Sequence, residues 1–217
     1  MNIDHTALLV IDMQRDFLDP GGYAALAGLD IVPMRKVIPR IAQLLDCARL
    51  HNILVIHTRE GHRPDLSDCP GAKLTRSKNA GAGIGSAGPL GRLLVRGESG
   101  HDIIDELRPL MGEPVVDKPG YGAFHQTDLA QILEARGICR LLVCGVTTEV
   151  CVHSTLREAV DRGYQCTVIS DACGSAYPDL HEAALRMVAI EGGIFGRVVD
   201  TGHVIAELKG SLNEEIE

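Results

Sequence analysis

Three residues of different chemical type stand where apolar runs stop, and together they can carry acyl transfer. Cys151 closes the run Leu141-Leu142-Val143-Cys144-Gly145-Val146-Thr147-Thr148-Glu149-Val150-Cys151-Val152, where an apolar strand gives way to helical spacing. A helix start exposes unpaired N–H groups and the positive end of the peptide dipole. Both favour a thiolate, the nucleophilic form of cysteine. The same N–H groups can bind the oxyanion that forms when sulfur attacks a carbonyl. Asp12 ends Leu8-Leu9-Val10-Ile11, and Lys118 ends Val115-Val116-Asp117. An aspartate here can take the thiol proton and later deliver it to a leaving amine. A lysine supplies the charge that favours both thiolate and carboxylate. The implied reaction is acyl transfer to sulfur, loss of an amine, and hydrolysis of the thioester by water. Taken singly, the three are a turn aspartate, a solvated lysine and a small buried thiol. Their meaning depends on whether the fold brings them together.

A parallel sheet would do so, because its strand C-termini converge on one edge and ligands bind beyond that edge. Ala7–Ile11, Ile53–His57, Val115–Asp117, Leu141–Gly145, Thr167–Ser170 and Gly196–Val199 read as strands. Several are apolar without alternation, as in strands covered on both faces. Val32–Leu50, Asp128–Ala135, Val152–Arg162 and Asp179–Ile190 show helical spacing, and Gly137 and Gly163 suit helix C′ positions. The alternation predicts an α/β fold with a parallel sheet and helices on both faces. Gly61–Gly97 lacks such order and is rich in glycine, arginine and lysine. A stretch of this kind in a compact domain is usually functional, and it reads as a loop that covers substrate or meets another subunit.

Composition narrows the function classes. The formal net charge of −8 offers no basic stripe for nucleic acid or an anionic membrane. Cys47, Cys69, Cys139, Cys144, Cys151, Cys166 and Cys173 lack CxxC spacing, which excludes a zinc ribbon or a disulfide framework. Cys144 and Cys166 fall inside apolar strands and read as inert core thiols. No internal repeat, linker, leader or membrane-spanning run interrupts residues 1–217, which read as one cytoplasmic domain.

At these residues the chain resembles the isochorismatase-like cysteine hydrolases, also called nicotinamidase-related amidohydrolases. The matching pieces are Ala7–Gln14 with Asp16-Phe17, Asp117-Lys118-Pro119 with Gly122-Ala123-Phe124, Gly145–Val152, and Ser170-Asp171-Ala172. The resemblance implies a three-layer α/β/α fold with a six-stranded parallel sheet, and an Asp12–Lys118–Cys151 triad. It also implies a non-proline cis peptide at Val146–Thr147, an oxyanion hole from the Thr147 and Cys151 N–H groups, and a homo-oligomer, often a tetramer. Isochorismatases proper lack the cysteine, so Cys151 argues against that branch. Nicotinamidases usually hold a metal on an aspartate and histidines beyond the second strand. Here that region reads His57-Thr58-Arg59-Glu60-Gly61-His62-Arg63-Pro64-Asp65-Leu66, where the histidine spacing fits no helical pair and Arg59 and Arg63 intervene. Neither a metal nor any other cofactor is expected.

The same segment, with Gly81–Gly85, Gly88–Arg92 and Arg96-Gly97-Glu98, resembles the branch that hydrolyses small linear ureides such as biuret and triuret. That branch reads Lys-Pro-Gly-Lys-Gly where this chain has Lys118-Pro119-Gly120-Tyr121-Gly122, and Gln where it has Glu191 before Gly192-Gly193. If Tyr121 and Glu191 line the pocket, the charge change favours a cationic or donor-rich ureide such as guanylurea. Phe17, Tyr23 and Phe124 are further candidate walls for a planar substrate, while Phe195 suits the core. The expected substrate is a small ureide. The alternatives are a nicotinamidase or ureidoacrylate-type amidase of the same fold, and a non-catalytic α/β binding module with a structural Cys151.

Overall fold

The computed structural model describes residues 3–214. Six strands form one sheet: β1 (Thr6–Ile11), β2 (Leu54–Glu60), β5 (Val115–Lys118), β6 (Arg140–Val146), β7 (Gln165–Gly174) and β8 (Arg197–Val199). Two two-residue strands, β3 (Ala87–Gly88) and β4 (Gly91–Arg92), make a separate antiparallel hairpin. The sheet order is β5-β2-β1-β6-β7-β8 with every pair parallel.

The alternation of side chains along β1 divides the core into two layers. Leu8 and Val10 enter a cluster with Ile41, Leu44 and Leu45 of helix Ile38–Leu50 and with Val204 and Leu208 of helix Thr201–Glu214. Ala7, Leu9 and Ile11 enter the opposite cluster with Leu129 and Leu133, Leu156 and Ala159, and Leu185 and Val188. These belong to helices Leu129–Ala135, His153–Asp161 and Pro178–Gly193. The three-layer α/β/α arrangement therefore follows from central strands that are apolar on both faces.

Several boundaries differ from the sequence reading. The span Val32–Leu50 is two helices, Val32–Arg35 and Ile38–Leu50, each with proline in its first turn. Proline tolerates a first turn but not an interior position, so Pro39 marks a new start. β7 continues to Gly174 past an irregularity opposite Val143 and Gly145. β2 runs on from His57 to Glu60, with consequences for the site. The Gly61–Gly97 segment contains the helix Gly71–Asn79, which its polar composition concealed. Gly137 and Gly163 adopt positive φ, as helix C′ glycines do. No described helix is long and apolar enough to cross a membrane.

Candidate active site

The parallel sheet brings Asp12, Lys118 and Cys151 together from the ends of three strands. Asp12 follows β1 with φ 52°, a left-handed conformation uncommon for a residue with a Cβ. Its carboxylate is held by the neighbouring strand: Thr58 Oγ1 accepts from the Asp12 N–H at 3.2 Å and donates to Asp12 Oδ1 at 2.6 Å. Lys118 Nζ pairs with Asp12 Oδ2 at 2.8 Å and donates to the carbonyls of Gly120 and Tyr121 at 3.0 Å each. Both Asp12 and Lys118 are 0% exposed, and Cys151 is 5% exposed.

The loop carrying Cys151 is pressed against the end of β1. Gly145 faces Ile11 in the register and has φ 119°, and a Cβ there would overlap the Ile11 carbonyl. Glycine alone permits this approach. The chain then crosses a cis Val146–Thr147 peptide, as the resemblance implied. Cys151 does not open an α-helix directly. It sits in a π-helical turn, Thr148–Val152, capped by Thr147 and continued by helix His153–Asp161. Such turns recur at functional sites.

A fourth charged residue completes the cluster, and the sequence reading passed over it. Glu60 ends β2, paired in register with Lys118. Its Oε2 lies 3.2 Å from Cys151 Sγ and 3.4 Å from Lys118 Nζ, and its Oε1 lies 2.6 Å from Lys73 Nζ. Gln14 fixes the Glu60 backbone: its amide accepts from the Glu60 N–H at 2.7 Å and donates to the Glu60 carbonyl at 2.9 Å. Placing the end of β2 at His57 made Glu60 look like a loop residue. Its position is in fact the same strand-end position that singled out Asp12 and Lys118. Lys73, from the helix Gly71–Asn79, is 5% exposed, donates to the Pro119 carbonyl at 2.7 Å and lies 4.8 Å from the Tyr121 ring centroid.

The buried charges alternate as Asp12, Lys118, Glu60, Lys73, and this decides their protonation. Burial alone would lower the Lys118 ammonium, but Asp12, Cys151 and Glu60 outweigh it and raise it above the ordinary lysine range. Burial would raise Glu60, but Lys118 and Lys73 pull it below the usual carboxylate value. Asp12 is raised by burial and by Glu60, against the lowering pull of Lys118. Burial pushes the Cys151 thiol well up, and the two carboxylates add to that against Lys118. The expectation of a resting thiolate is thereby corrected. Lys118 does face the sulfur, but two anions face it as well, so the resting group is a thiol pointed at Glu60.

Asp12, Glu60 and Cys151 each offer an atom within 4.8 Å of the others, a grouping that could suit a divalent ion. Two ammonium groups already occupy the carboxylate faces, however, at 2.8 Å on Asp12 and 2.6 Å on Glu60. A metal would have to displace them. His57 and His62 do not converge, since His57 Nε2 meets Glu113 at 3.1 Å while His62 Nδ1 meets Asp68 at 3.3 Å.

A cavity of about 260 Å³ adjoins the cluster through Glu60 and is lined by Glu60, Lys73 and Thr147 together with Phe17, Tyr23 and Tyr121. Asp16 holds that wall in place by accepting from the N–H groups of Tyr23 at 3.2 Å and Leu94 at 2.8 Å. Phe17 packs edge-on to Tyr23 with centroids 6.3 Å apart. Burial and Glu60 push the Tyr23 phenol up to about 12, so it remains a hydrogen-bond donor at neutral pH. Lys73, Arg76, Ser77, Ala80, Ile84 and Leu94 also line the cavity, so the Gly61–Gly97 excursion covers it.

Two expected wall residues are elsewhere. Phe124 is 5% exposed and stacks on Tyr164 at 5.8 Å within the core. Glu191 is exposed, at φ 52° in the break that ends helix Pro178–Gly193. The following Gly192 and Gly193 lie beside Arg140 and Gln165, the first residues of β6 and β7, at the end of the sheet away from Cys151. The charge argument for guanylurea that rested on Glu191 therefore falls. Phe195 packs on the core and meets the Arg157 guanidinium at 3.6 Å. Cys144 and Cys166 are buried thiols, Cys166 pushed up to about 12 by burial.

Buried Cys, Lys and Asp at the C-terminal edge of a parallel sheet define a cysteine hydrolase of the α/β/α class. The isochorismatase domain model matches residues 6–202, and the chain belongs to that family. It is 34% identical over 210 residues to the ureidoacrylate amidohydrolase RutB of Azorhizobium caulinodans, covering 95% of this chain and 92% of that one. It is 38% identical over 209 residues to RutB of Methylorubrum extorquens, covering 94% and 83%. Among solved structures it is similar to a cysteine hydrolase from Pseudomonas syringae pv. phaseolicola, with TM-score 0.83, 31% identity and coverage of 97% and 95%. An isochorismatase family protein from Desulfovibrio vulgaris matches with TM-score 0.78, 30% identity and coverage of 94% and 98%. The chain is a hydrolase of C–N bonds in linear amides.

Proposed function

We propose that the protein hydrolyses the ureido group of a small ureido acid of the ureidoacrylate type, with Cys151 as nucleophile, Asp12 as proton shuttle and Lys118 as the charge that holds them. The observation that carries this reading is the buried Asp12–Lys118–Cys151 cluster, joined to the 260 Å³ cavity through Glu60, which touches Cys151 and lines the cavity. That volume falls below the roughly 300–1,000 Å³ of pockets for drug-sized ligands and suits a small substrate. Resemblance within the covering loop had favoured biuret, triuret or guanylurea. The RutB relatives, matched over 94–95% of the chain, support the ureido acid instead.

In the proposed reaction Asp12 takes the Cys151 proton as sulfur attacks the ureido carbonyl. The Thr147 and Cys151 N–H groups receive the oxyanion. Asp12 returns the proton to the substituted nitrogen, the C–N bond breaks, and the free amine leaves a carbamoyl thioester on sulfur. Water activated by Asp12 attacks that carbonyl, releasing carbamic acid and restoring the thiol. Because the resting group is a thiol, proton removal accompanies attack rather than preceding it. The reading extends to self-association: exposed Leu180 and Met187 of helix Pro178–Gly193, with Tyr177 before it and Ile190 at its break, offer an apolar patch to a second copy, which light scattering would test.

The test is a panel of ureidoacrylate, biuret, triuret, guanylurea and nicotinamide, read by ammonia release, with Cys151→Ala as control. Ureidoacrylate should be the fastest and the variant inactive. Faster turnover of biuret or nicotinamide would overturn the substrate assignment, and an active Cys151→Ala enzyme would overturn the mechanism.

A further inference from the structure

We infer that Arg76 is the residue that selects a carboxylate-bearing substrate, by pairing with the anion at the end of the cavity away from Cys151. This deepens the reading above and rests on it. Three charged residues line the cavity: Glu60, Lys73 and Arg76. Glu60 and Lys73 neutralise one another at 2.6 Å. The Lys73 ammonium is further committed to the Pro119 carbonyl at 2.7 Å and to the Tyr121 ring. Arg76 is exposed, and among the described residues no carboxylate lies within ion-pair distance of it. The cavity thus keeps one uncompensated positive charge.

Helix geometry sets where that charge stands. Lys73 and Arg76 are three residues apart on helix Gly71–Asn79, so they share a face and stand about one turn apart. Lys73 reaches inward to Glu60, which touches Cys151. Arg76, one turn on, is exposed and lines the same cavity. Most of the remaining lining is apolar or aromatic, with Phe17, Leu29, Ile84, Leu94 and Val150 among it. A ligand that matches this order has a carbamoyl group at the sulfur, a short flat stem between aromatic walls and an anion at the mouth. A guanidinium binds a carboxylate through two parallel hydrogen bonds. A biuret or guanylurea offers no anion to it.

The experiment compares ureidoacrylate with biuret on wild type, Arg76→Gln and Arg76→Lys. A hydrogen bond to a charged group contributes about 1.5–3 kcal/mol, which converts to roughly 10–150-fold. Arg76→Gln should raise KM for ureidoacrylate by about that factor, change kcat little, and affect biuret kinetics far less. Arg76→Lys should recover part of the loss, since an ammonium keeps the charge without the fork. Equal losses on both substrates, or no loss on ureidoacrylate, would overturn the role of Arg76 and leave the cysteine mechanism standing. Wild-type enzyme that prefers biuret would overturn the inference together with the ureido-acid assignment. Failure to turn over any ureide would overturn the reading of the site itself.

Discussion

Replacing Glu60 by Gln should move the Cys151 thiol toward acid, and replacing Lys73 by Met should move it the other way. The reasoning is electrostatic. Glu60 Oε2 is 3.2 Å from the sulfur and Lys73 Nζ is 2.6 Å from the other oxygen of the same carboxylate. Unit charges about 4 Å apart interact by about 4 kcal/mol at an effective dielectric constant near 20. One pKa unit is about 1.36 kcal/mol, so that repulsion corresponds to roughly three units before the site relaxes. Allowing for relaxation, a shift of at least about one unit is expected. In Glu60→Gln the thiolate loses a neighbouring anion and gains an uncompensated Lys73, so its formation needs a lower pH. In Lys73→Met the carboxylate keeps only the Lys118 ammonium at 3.4 Å, and thiolate formation needs a higher pH. The assay is the rate of iodoacetamide alkylation of Cys151 against pH, followed by peptide mass spectrometry. The other cysteines serve as internal controls. Each substitution also breaks a buried pair, so about 3–5 kcal/mol of stability is lost, and profiles are to be measured below the lowered melting temperature. Turnover in Glu60→Gln should fall even where the thiol ionises more readily, because Glu60 aims the sulfur and holds Lys73. Shifts of the same sign in both folded variants, or no shift in either, would refute the alternating-charge account.

Asp12→Asn should lower kcat/KM by about 10²–10⁴-fold, the usual contribution of general acid–base catalysis. It should also remove the acid limb of the wild-type profile, which is expected above the ordinary aspartate value of 3.8 because burial raises Asp12. Lys118→Met leaves Asp12 without its cation and Glu60 with Lys73 alone, and melting should drop by about 6–20 °C for about 3–5 kcal/mol lost. The sign follows from Lys118 being raised when folded: its contribution is fully present below 10.5 and fades only at more alkaline pH. The gap between wild type and variant should narrow as acid protonates the two carboxylates. Dialysis against EDTA should leave turnover unchanged, since Lys118 and Lys73 already pair with the carboxylates at 2.8 and 2.6 Å. Loss restored by a divalent ion would refute that.

The sheet and the triad were legible because both depend on local signals. Uninterrupted apolar runs such as Leu8–Ile11 mark strands buried on two faces, and parallel strands end on one edge. The residues that follow such runs must then meet, as Asp12 and Lys118 do at 2.8 Å. Three signals failed for different physical reasons. Glu60 was missed because His57 and Arg59 disguise the end of β2: polar side chains can stay in a strand when partners await them, here Glu113 for His57 and Asp117 for Arg59. Lys73 was missed because the helix Gly71–Asn79 has no apolar stripe to announce it. Glu191 was misplaced because charge arithmetic along a sequence carries no information about which end of a sheet a loop reaches.

The same contrast explains why the thiol is protonated when the sequence suggested a thiolate. Helix N–H groups and one lysine argue for the anion, and both are local to motifs that can be read in order along the chain. The opposing influences are burial, Asp12 and Glu60: the first is a property of the whole core, and the carboxylates act through contacts made only when the sheet assembles, Glu60 with a residue 91 positions away. A protonated resting sulfur is consistent with an amidase that must not react with every electrophile entering a cavity of this size. The nucleophile is generated when a carbonyl is seated, because the oxyanion then provides a place for negative charge that the empty site lacks. In the proposed reading Arg76 and Glu60 thus act on different partners, the substrate's anion and the enzyme's sulfur. The first selects which molecule enters, and the second keeps the sulfur neutral until a carbonyl is in position.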